Sequence, residues 1–333
     1  MFILLARHEI DDIKWNELIT NSPQSYFYGF SWYLDLVSPN WKALIIVENN
    51  DYQAVMPLPI HSFCGIAYLK QPLFCQQLGI FSKPNYVISY ADFFAELEKS
   101  YKYIAEYSFN IDTQNIANEI FGEKFNIKFK TQKFHTHLLN LQQNITQIYA
   151  NYSHDRKINL KCGLKFQAQK GIKIIESTEI DSLINMFINE TEQKLIGGVA
   201  SNAYNLLRKV YAELQHRKMV KIFYTSNQNN EIESGIMVVF SHRKIVYLFN
   251  AAQNKFRKNN GRTLLIHHIL ETYSNSEYDF FDFESPEIPK IVSFYKSFGS
   301  VAYPFLRIHY NNLPFWVEIP KKIRKFIVDF SKL

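Results

Sequence analysis

The sequence has few cysteines, no long apolar run and no strong excess of charge. Its three cysteines form no CxxC pair, which argues against a disulfide framework and a thiolate zinc site. No apolar run approaches the roughly 20 residues of a membrane span, and the apolar start at 1–6 is too short for a signal-peptide core. We therefore predict a protein without a transmembrane segment, located in the cytoplasm.

Charge and length narrow the classes of function further. The 37 Lys and Arg residues exceed the 31 Asp and Glu residues by 6, which permits a basic groove but does not require nucleic acid, and we expect no DNA partner. A chain of 333 residues that is 47% apolar can bury two cores. The sequence contains no P-loop, nucleophile elbow or HExxH motif, so those classes of enzyme are not indicated.

The order of predicted elements occurs twice along the chain. A pair of apolar runs around a polar turn opens each half, at 41–59 and at 220–240. Phe121-Gly122 and Phe298-Gly299 each end a helical pattern, as glycine commonly does. Strands that alternate with helices favour helices packed on a sheet. We predict a first copy at 1–143, a linking helix and strand at 144–177, a second copy at 178–312 and a basic amphipathic tail at 313–333.

Basic residues cluster in the predicted linking helix. Lys157, Lys161 and Lys165 are four residues apart and share one helix face, and Arg156 lies beside them. The pattern fits a solvated helix face, and it also fits a positive wall that binds the phosphates of a substrate. Both interpretations stay open at the level of sequence.

A basic loop precedes a helical pattern in the second half, at 264–273. The first N–H groups of a helix are unpaired and its dipole favours an anion, so such a loop suits a phosphate. Glycine would let the backbone approach that phosphate closely, although an ordinary polar turn has a similar pattern. The candidate binding residues are Lys258, Asn260, Gly261, Arg262 and Thr263.

Two further positions are candidates for chemistry. Tyr295 lies four residues before Gly299, one turn inside a helix end, where its hydroxyl could donate a proton or simply pack. His135 and His137 lie on one face of a probable strand, but no third ligand has suitable spacing. We therefore predict surface histidines and no metal site.

The segment 232–305 resembles the GNAT acyltransferase superfamily, in the loop at 258–263 and in the helix that ends at Phe298-Gly299. The duplicated order is similar to that of the FemAB-like branch, in which two GNAT-like domains occur in tandem. The resemblance implies an α/β (α+β) fold whose two domains each have a mixed, mostly antiparallel sheet flanked by helices. The first copy has only a partial match to the loop, at 76–81, so we expect it to be degenerate and to serve the acceptor side.

The same resemblance implies an N-acyltransferase that carries no permanently bound cofactor and uses acyl-CoA as a co-substrate. The acyl carbonyl would bind the strand at Tyr247, Leu248 and Phe249, and Tyr295 would protonate the leaving thiolate. An amine acceptor, either a small molecule or a peptidoglycan precursor, would bind in the cleft between the domains. Asp282 and Glu284 are the candidates to deprotonate that amine.

Two other functions are compatible with the sequence. Peptidoglycan aminoacyltransferases of this branch have a lysine where this chain has Tyr295, and here Lys296 follows one position later. The tyrosine favours acyl-CoA over aminoacyl-tRNA as the donor, although the basic stretch at 156–173 could hold RNA. The third hypothesis is a tandem module that binds an anionic ligand and catalyses nothing.

Overall fold

The computed structural model describes residues 2–63, 65–113, 128–195 and 198–314. The chain forms two compact units, each built from separate stretches of sequence. Unit 1 comprises the described residues of 1–24, 38–133 and 305–333, and unit 2 comprises those of 25–37 and 134–304. The domain boundaries predicted at 143, 177 and 312 are based on the repeat of elements in the sequence, whereas the two units are defined by contacts between residues. Those boundaries therefore stay a prediction.

The described chain contains runs of strands separated by helices. The strands are β1 (Phe2–Ala6), β2 (Lys42–Glu48), β3 (Asp51–Leu58), β4 (Ile60–Phe63), β5 (Ile66–Lys70), β6 (Phe81–Ser82), β7 (Tyr103–Ser108), β8 (Lys130–Asn140), β9 (Lys173–Ser177), β10 (Val220–Ser226), β11 (Ile232–Ser241), β12 (Lys244–Ala252), β13 (Phe280–Asp282) and β14 (Val301–Asn311). The helices are α1 (Asp12–Asn21), α2 (Ser31–Val37), α3 (Tyr90–Ser100), α4 (Ile145–Ala150), α5 (His154–Lys170), α6 (Asp181–Glu190), α7 (Ala203–His216), α8 (Gly261–Tyr273) and α9 (Pro289–Lys296).

Unit 1 contains two groups of paired strands. In the first the order is β1-β2-β3-β6, with antiparallel neighbours. In the second, β7 pairs parallel with β5 and antiparallel with β14. The fully buried rings of Trp15 and Trp41, 4.8 Å apart, join α1 to the start of β2. The Asp11 side chain accepts hydrogen bonds from the first turn of α1 and so fixes where that helix begins.

Unit 2 is built on the strand order β8-β13-β12-β11-β10-β9, in which β12 and β13 are parallel and the other neighbours are antiparallel. The helices α5 and α8 pack closely, since a Cβ on Gly163 would lie 3.0 Å from the Leu264 side chain. Two β-bulges interrupt the sheet. Leu248 is the extra residue opposite Met237 and Val238, and Glu233 is the extra residue between the pairs of Ser226 and Thr225.

The parallel pair in unit 2 is short. β13 pairs with β12 only from Lys244 to Val246, although β12 continues to Ala252. No β13 residue pairs with β12 beyond Val246 among the residues that the structure describes. The two strands therefore open from each other at the bulge of Leu248.

The predicted mixture of helices and strands is confirmed, with one difference in the linking segment. The predicted single helix is divided into α4 and α5, because Ser153 caps a new helix start and Gly171 ends it in a left-handed conformation. Phe121-Gly122 and positions 315–333 of the predicted tail lie outside the described residues. No helix of the described ranges is long and apolar enough to cross a membrane.

Candidate functional site

A cleft of about 580 Å³ lies in unit 2 at the start of α8. It is bounded by α5, by the bulged end of β11, by the last residues of β12 and by α9. Its lining residues are Arg156, Asn159, Glu233, Ser234, Ala252, Gln253, Asn254, Phe256, Arg257, Asn260, Gly261, Arg262, Thr263 and Phe294. The predicted loop thus lies at a cleft, and four of its five candidate residues line it.

The first turn of α8 faces this cleft without a side-chain cap. Asn260 precedes the helix in a left-handed conformation, with φ of 57°, and its side chain does not cap the turn. The N–H groups of the next three residues have no acceptor within the helix, and the helix dipole places partial positive charge there. The turn can therefore bind an anion, as its sequence predicts.

Gly261 has a different role from the expected one. A Cβ at this position would lie 2.4 Å from Ser234 Oγ and 2.7 Å from Thr225 Oγ1, so it would point into the sheet and not toward a ligand. Glycine is required here because α8 approaches β10 and β11 closely. The expectation that Gly261 makes room for a phosphate is wrong in its physical reason.

Arg156 places a buried cation beside that first turn. It is 6% exposed, and it donates from Nη1 to Thr263 Oγ1 at 2.5 Å and from Nε to Ser297 Oγ at 2.9 Å. Its guanidinium lies 4.3 Å from the Phe294 ring centroid and 4.6 Å from that of Phe298. Burial lowers the pKa of Arg156 to about 10, so it is a cation at neutral pH.

No carboxylate among the described residues forms an ion pair with Arg156. A buried charge without a counter-ion is unfavourable, and a bound anion would remove that cost. The charge of Arg156 is therefore suited to an anion in the cleft.

The other predicted cations occupy different positions. Lys161 and Lys165 are exposed on another face of α5, and Lys157 donates to the Ala150 carbonyl at 2.8 Å. Lys258 is exposed and does not line the cleft. Of the four residues predicted to bind substrate, the structure brings only Arg156 to the cleft, whereas Arg262 of the predicted loop lines it.

The strand predicted to bind the acyl group, β12, also contributes Ala252 to the lining of the cleft. Leu248 forms the β12 bulge between Tyr247 and Phe249, at the place where β13 no longer pairs with β12. Beyond Val246, the backbone N–H groups of β12 do not pair with β13. They can therefore donate a hydrogen bond to a carbonyl oxygen on this edge. The Tyr247 hydroxyl is buried and has no hydrogen-bond partner within the described part of the chain.

Tyr295 lies in α9 at the same opening of the sheet. Its ring is 6% exposed and stacks on Phe283, with centroids 4.6 Å apart. Burial raises its pKa, nearby Arg262 lowers it and Glu284 raises it. The phenol is therefore protonated at neutral pH and is a weaker acid than a free tyrosine. Lys296 is exposed one position later.

The two strand-end carboxylates have different environments. Asp282 is fully buried and accepts hydrogen bonds from Tyr26 Oη at 2.6 Å, from Thr136 Oγ1 at 2.5 Å and from the Glu284 N–H at 2.9 Å. Glu284 is only partly buried, in a left-handed conformation, and accepts a hydrogen bond from the Tyr28 hydroxyl. Glu284 is thus the more accessible of the two predicted bases.

Sequence reasoning missed the tyrosines that hold these carboxylates. They lie in the stretch 25–37, far from β13 in sequence but within the same unit. Burial and then Glu284 raise the pKa of Tyr28, which keeps it a hydrogen-bond donor. The aromatic run at 26–33 was the available signal, since such a run in a short turn usually packs into a core.

The two histidines of β8 also differ. His135 lies 3.1 Å from Glu287 at the surface, as expected, whereas His137 is 2% exposed and neither ring nitrogen has a partner among the described residues. The prediction of a surface position is wrong for His137. No group of three metal-binding side chains occurs in the described ranges.

No family model matches the sequence, and no curated protein matches it. Solved structures do resemble the fold. FemX is 12% identical, with a TM-score of 0.65 over 93% of this chain and 98% of that one. L-PGS from Bacillus licheniformis is 10% identical, with a TM-score of 0.54 over 94% of this chain and 96% of that one. A tandem GNAT protein from the clavulanic acid biosynthesis pathway is 10% identical, with a TM-score of 0.51 over 94% and 99%. The chain therefore shares the fold of FemX and of the tandem GNAT protein, which agrees with the predicted fold class.

Proposed function

We propose that this protein is an N-acyltransferase whose donor carries phosphates, with acyl-CoA as the co-substrate. The observation that carries the proposal is the buried guanidinium of Arg156, which has no carboxylate partner in the described chain and lies beside the uncapped start of α8. Ala252 of β12 lines the cleft, and the Leu248 bulge lies four residues earlier on the same strand. One ligand can thus place phosphates in the cleft and an acyl group at the bulge.

The chemistry follows from this placement. The acceptor is an amine, on a small molecule or on a peptidoglycan precursor, and its nitrogen attacks the acyl carbon. A C–N bond forms, the C–S bond breaks, and the thiolate takes a proton from Tyr295. The amine proton passes to Glu284, directly or through water. Backbone groups at the bulge stabilise the carbonyl oxygen, and most of the acceleration comes from positioning the two reactants.

Calorimetry with coenzyme A and acetyl-CoA tests the donor, and thiol release in the presence of amines tests the transfer. We expect binding that weakens strongly in the Arg156→Met variant. Absence of coenzyme A binding at low salt would contradict the proposal. Binding without thiol release for any amine would favour the module that binds an anion and catalyses nothing.

A second donor, aminoacyl-tRNA, is favoured by one observation. The exposed side chains of Lys161 and Lys165 lie on another face of the helix that carries Arg156, so they add positive charge to the surface of unit 2. The leaving group would then be a ribose hydroxyl instead of a thiolate.

Reversing the charge of Lys161 and Lys165 to Glu separates the two donors. The double variant should leave coenzyme A binding unchanged if acyl-CoA is the donor. Strong loss of tRNA binding in this variant, together with a steep salt dependence in the parent chain, would identify RNA as the donor instead.

A further inference from the structure

The cleft holds one acidic side chain that neither donor chemistry explains. Glu233 is 3% exposed and lines the cleft among several basic residues. It is the bulged residue of β11, and its carboxylate reaches Asn259, the residue two positions before α8. A bulge turns a side chain away from the regular alternation of a strand, so this carboxylate is held at the cleft by the backbone itself.

The two oxygens of Glu233 have different surroundings. Oε1 accepts a hydrogen bond from Asn259 Nδ2 at 2.8 Å, and Asn259 Oδ1 in turn accepts one from Lys170 Nζ at 3.3 Å. Oε2 is buried, and no donor of the described residues reaches it. Lys170 is hydrogen-bonded to Asn259 and forms no ion pair with Glu233. Burial raises the pKa of Glu233.

A buried acceptor without a donor is unfavourable, and a ligand with a suitable group can supply the missing hydrogen bond. Phosphate oxygens at neutral pH are acceptors, so the phosphates proposed for this cleft cannot satisfy Oε2 of the ionised carboxylate. The part of a nucleotide that adjoins its phosphates carries ribose hydroxyls and a base amine, which are donors. The ligand that suits both Arg156 and Glu233 is therefore a phosphate attached to a nucleoside.

We propose that Glu233, oriented by Asn259, binds the nucleoside of the donor by accepting a hydrogen bond from one of its hydroxyl or amino groups. This inference rests on the proposed function, since it concerns the same cleft. It adds a subsite that distinguishes a nucleotide from a free pyrophosphate. The nucleoside can belong to coenzyme A or to the end of a tRNA, because both present the same chemistry.

Titration of the full chain with ADP and with inorganic pyrophosphate tests the subsite. The informative variant is Glu233→Gln, because glutamine keeps the volume and the acceptor for Asn259 but replaces the second oxygen by a donor. We expect the preference for ADP over pyrophosphate to fall about tenfold in this variant, as for loss of a hydrogen bond to a charged group. Pyrophosphate should bind equally well or more tightly, because a negative charge has been removed.

The matched control is Glu231→Gln. Glu231 lies two residues before Glu233 and is paired with Lys255 at the surface. It should leave the preference for ADP unchanged. Thermal unfolding of both variants establishes that they fold. Titrations with 2′-deoxy-ADP and with IDP show whether the hydroxyl or the amine is bound, and titrations with coenzyme A and with tRNA show which donor carries the nucleoside.

Several outcomes would overturn the inference. An unchanged ratio of ADP to pyrophosphate affinity in Glu233→Gln would do so. If both affinities rise by the same factor, the ratio is also unchanged, and Glu233 is then only a repulsive charge. Binding that requires Mg²⁺ would assign the carboxylate to a metal bridge instead. Failure of the parent chain to bind either ligand would contradict the proposed function itself.

Discussion

The replacement of Arg156 by methionine should reduce donor affinity strongly while changing stability little. Methionine fills a similar volume between Phe294 and Phe298, so the packing around the guanidinium is largely kept. The charge and its fork of N–H donors are lost. A residue that served only the fold would give the opposite pattern, in which stability falls and affinity does not.

The magnitudes follow from the contacts of Arg156. The variant loses two hydrogen bonds donated by a charged group, of about 1.5 to 3 kcal/mol each, and two cation–π contacts of about 0.5 to 2 kcal/mol each. It also loses the desolvation penalty of a buried ion without a counter-ion, which amounts to several kcal/mol. These terms oppose each other, so we expect the free energy of unfolding to change by less than about 2 kcal/mol. A charged hydrogen bond to phosphate contributes about 1.5 to 3 kcal/mol, which corresponds to a loss of roughly 10- to 150-fold in affinity.

Urea unfolding and calorimetry with coenzyme A measure both quantities on the same samples. Lys161→Met is the matched control, because it removes a cation from an exposed face of the same helix and should change neither quantity. Arg156→Lys keeps the charge without the planar fork and should bind with intermediate affinity. The reasoning is refuted if Arg156→Met loses about 3 to 5 kcal/mol of stability, as for a broken buried ion pair, while its affinity is unchanged.

Four further predictions concern the chemistry and the fold of unit 2. Tyr28→Phe removes a donor from the Glu284 carboxylate, so the acidic limb of the pH–rate profile should move to higher pH; an unmoved limb would exclude Glu284 as the base. Tyr295→Phe should lower turnover by about 10²-fold and leave coenzyme A affinity within about twofold, and equal loss of both would indicate a packing role. Gly261→Ala forces α8 away from the sheet and should cost about 1 to 3 kcal/mol in urea unfolding, whereas a neutral result would contradict the close approach. Burial lowers the pKa of His137 below its usual value of 6.5. As the pH falls, the unfolded chain therefore takes up a proton first, and stability is lost below about pH 6.5. The melting temperature of His137→Leu should depend less on pH between 7.5 and 5, and an unchanged dependence would assign the loss to other groups.

The part of the site that depends on local sequence was predictable. A basic loop followed by helical periodicity identified the start of α8, and the cleft lies there. The position of Arg156 was not recognised as buried, because it stands in the most basic stretch of the chain. The buried residues of α5 are Arg156, Leu160 and Gly163. Their spacing of four and three residues is that of a helix face, and it was the signal available for finding the arginine.

Other parts of the site depend on contacts that no local pattern encodes. The bulge that turns Glu233 results from the register of β11 against β10, which is set by both strands together. Tyr26 and Asp282 are 256 residues apart in sequence, so their hydrogen bond can only be read from the fold. The role of Gly261 was misjudged for the same reason, because the glycine is required by its close contact with side chains of the sheet.

The hydrogen bond between Tyr26 and Asp282 has a consequence for the order of events during synthesis. At about 5 to 20 residues per second, the ribosome needs roughly 13 to 50 s to proceed from one residue to the other. During that interval Tyr26 in the aromatic run at 26–33 lacks the Asp282 carboxylate to which it donates in the folded chain. A fragment that begins at 134 would contain the whole cleft but would leave Asp282 buried without the tyrosine that completes its hydrogen bonding. Attempts to produce unit 2 alone should therefore supply residues 25–37, either through a linker or as a separate peptide.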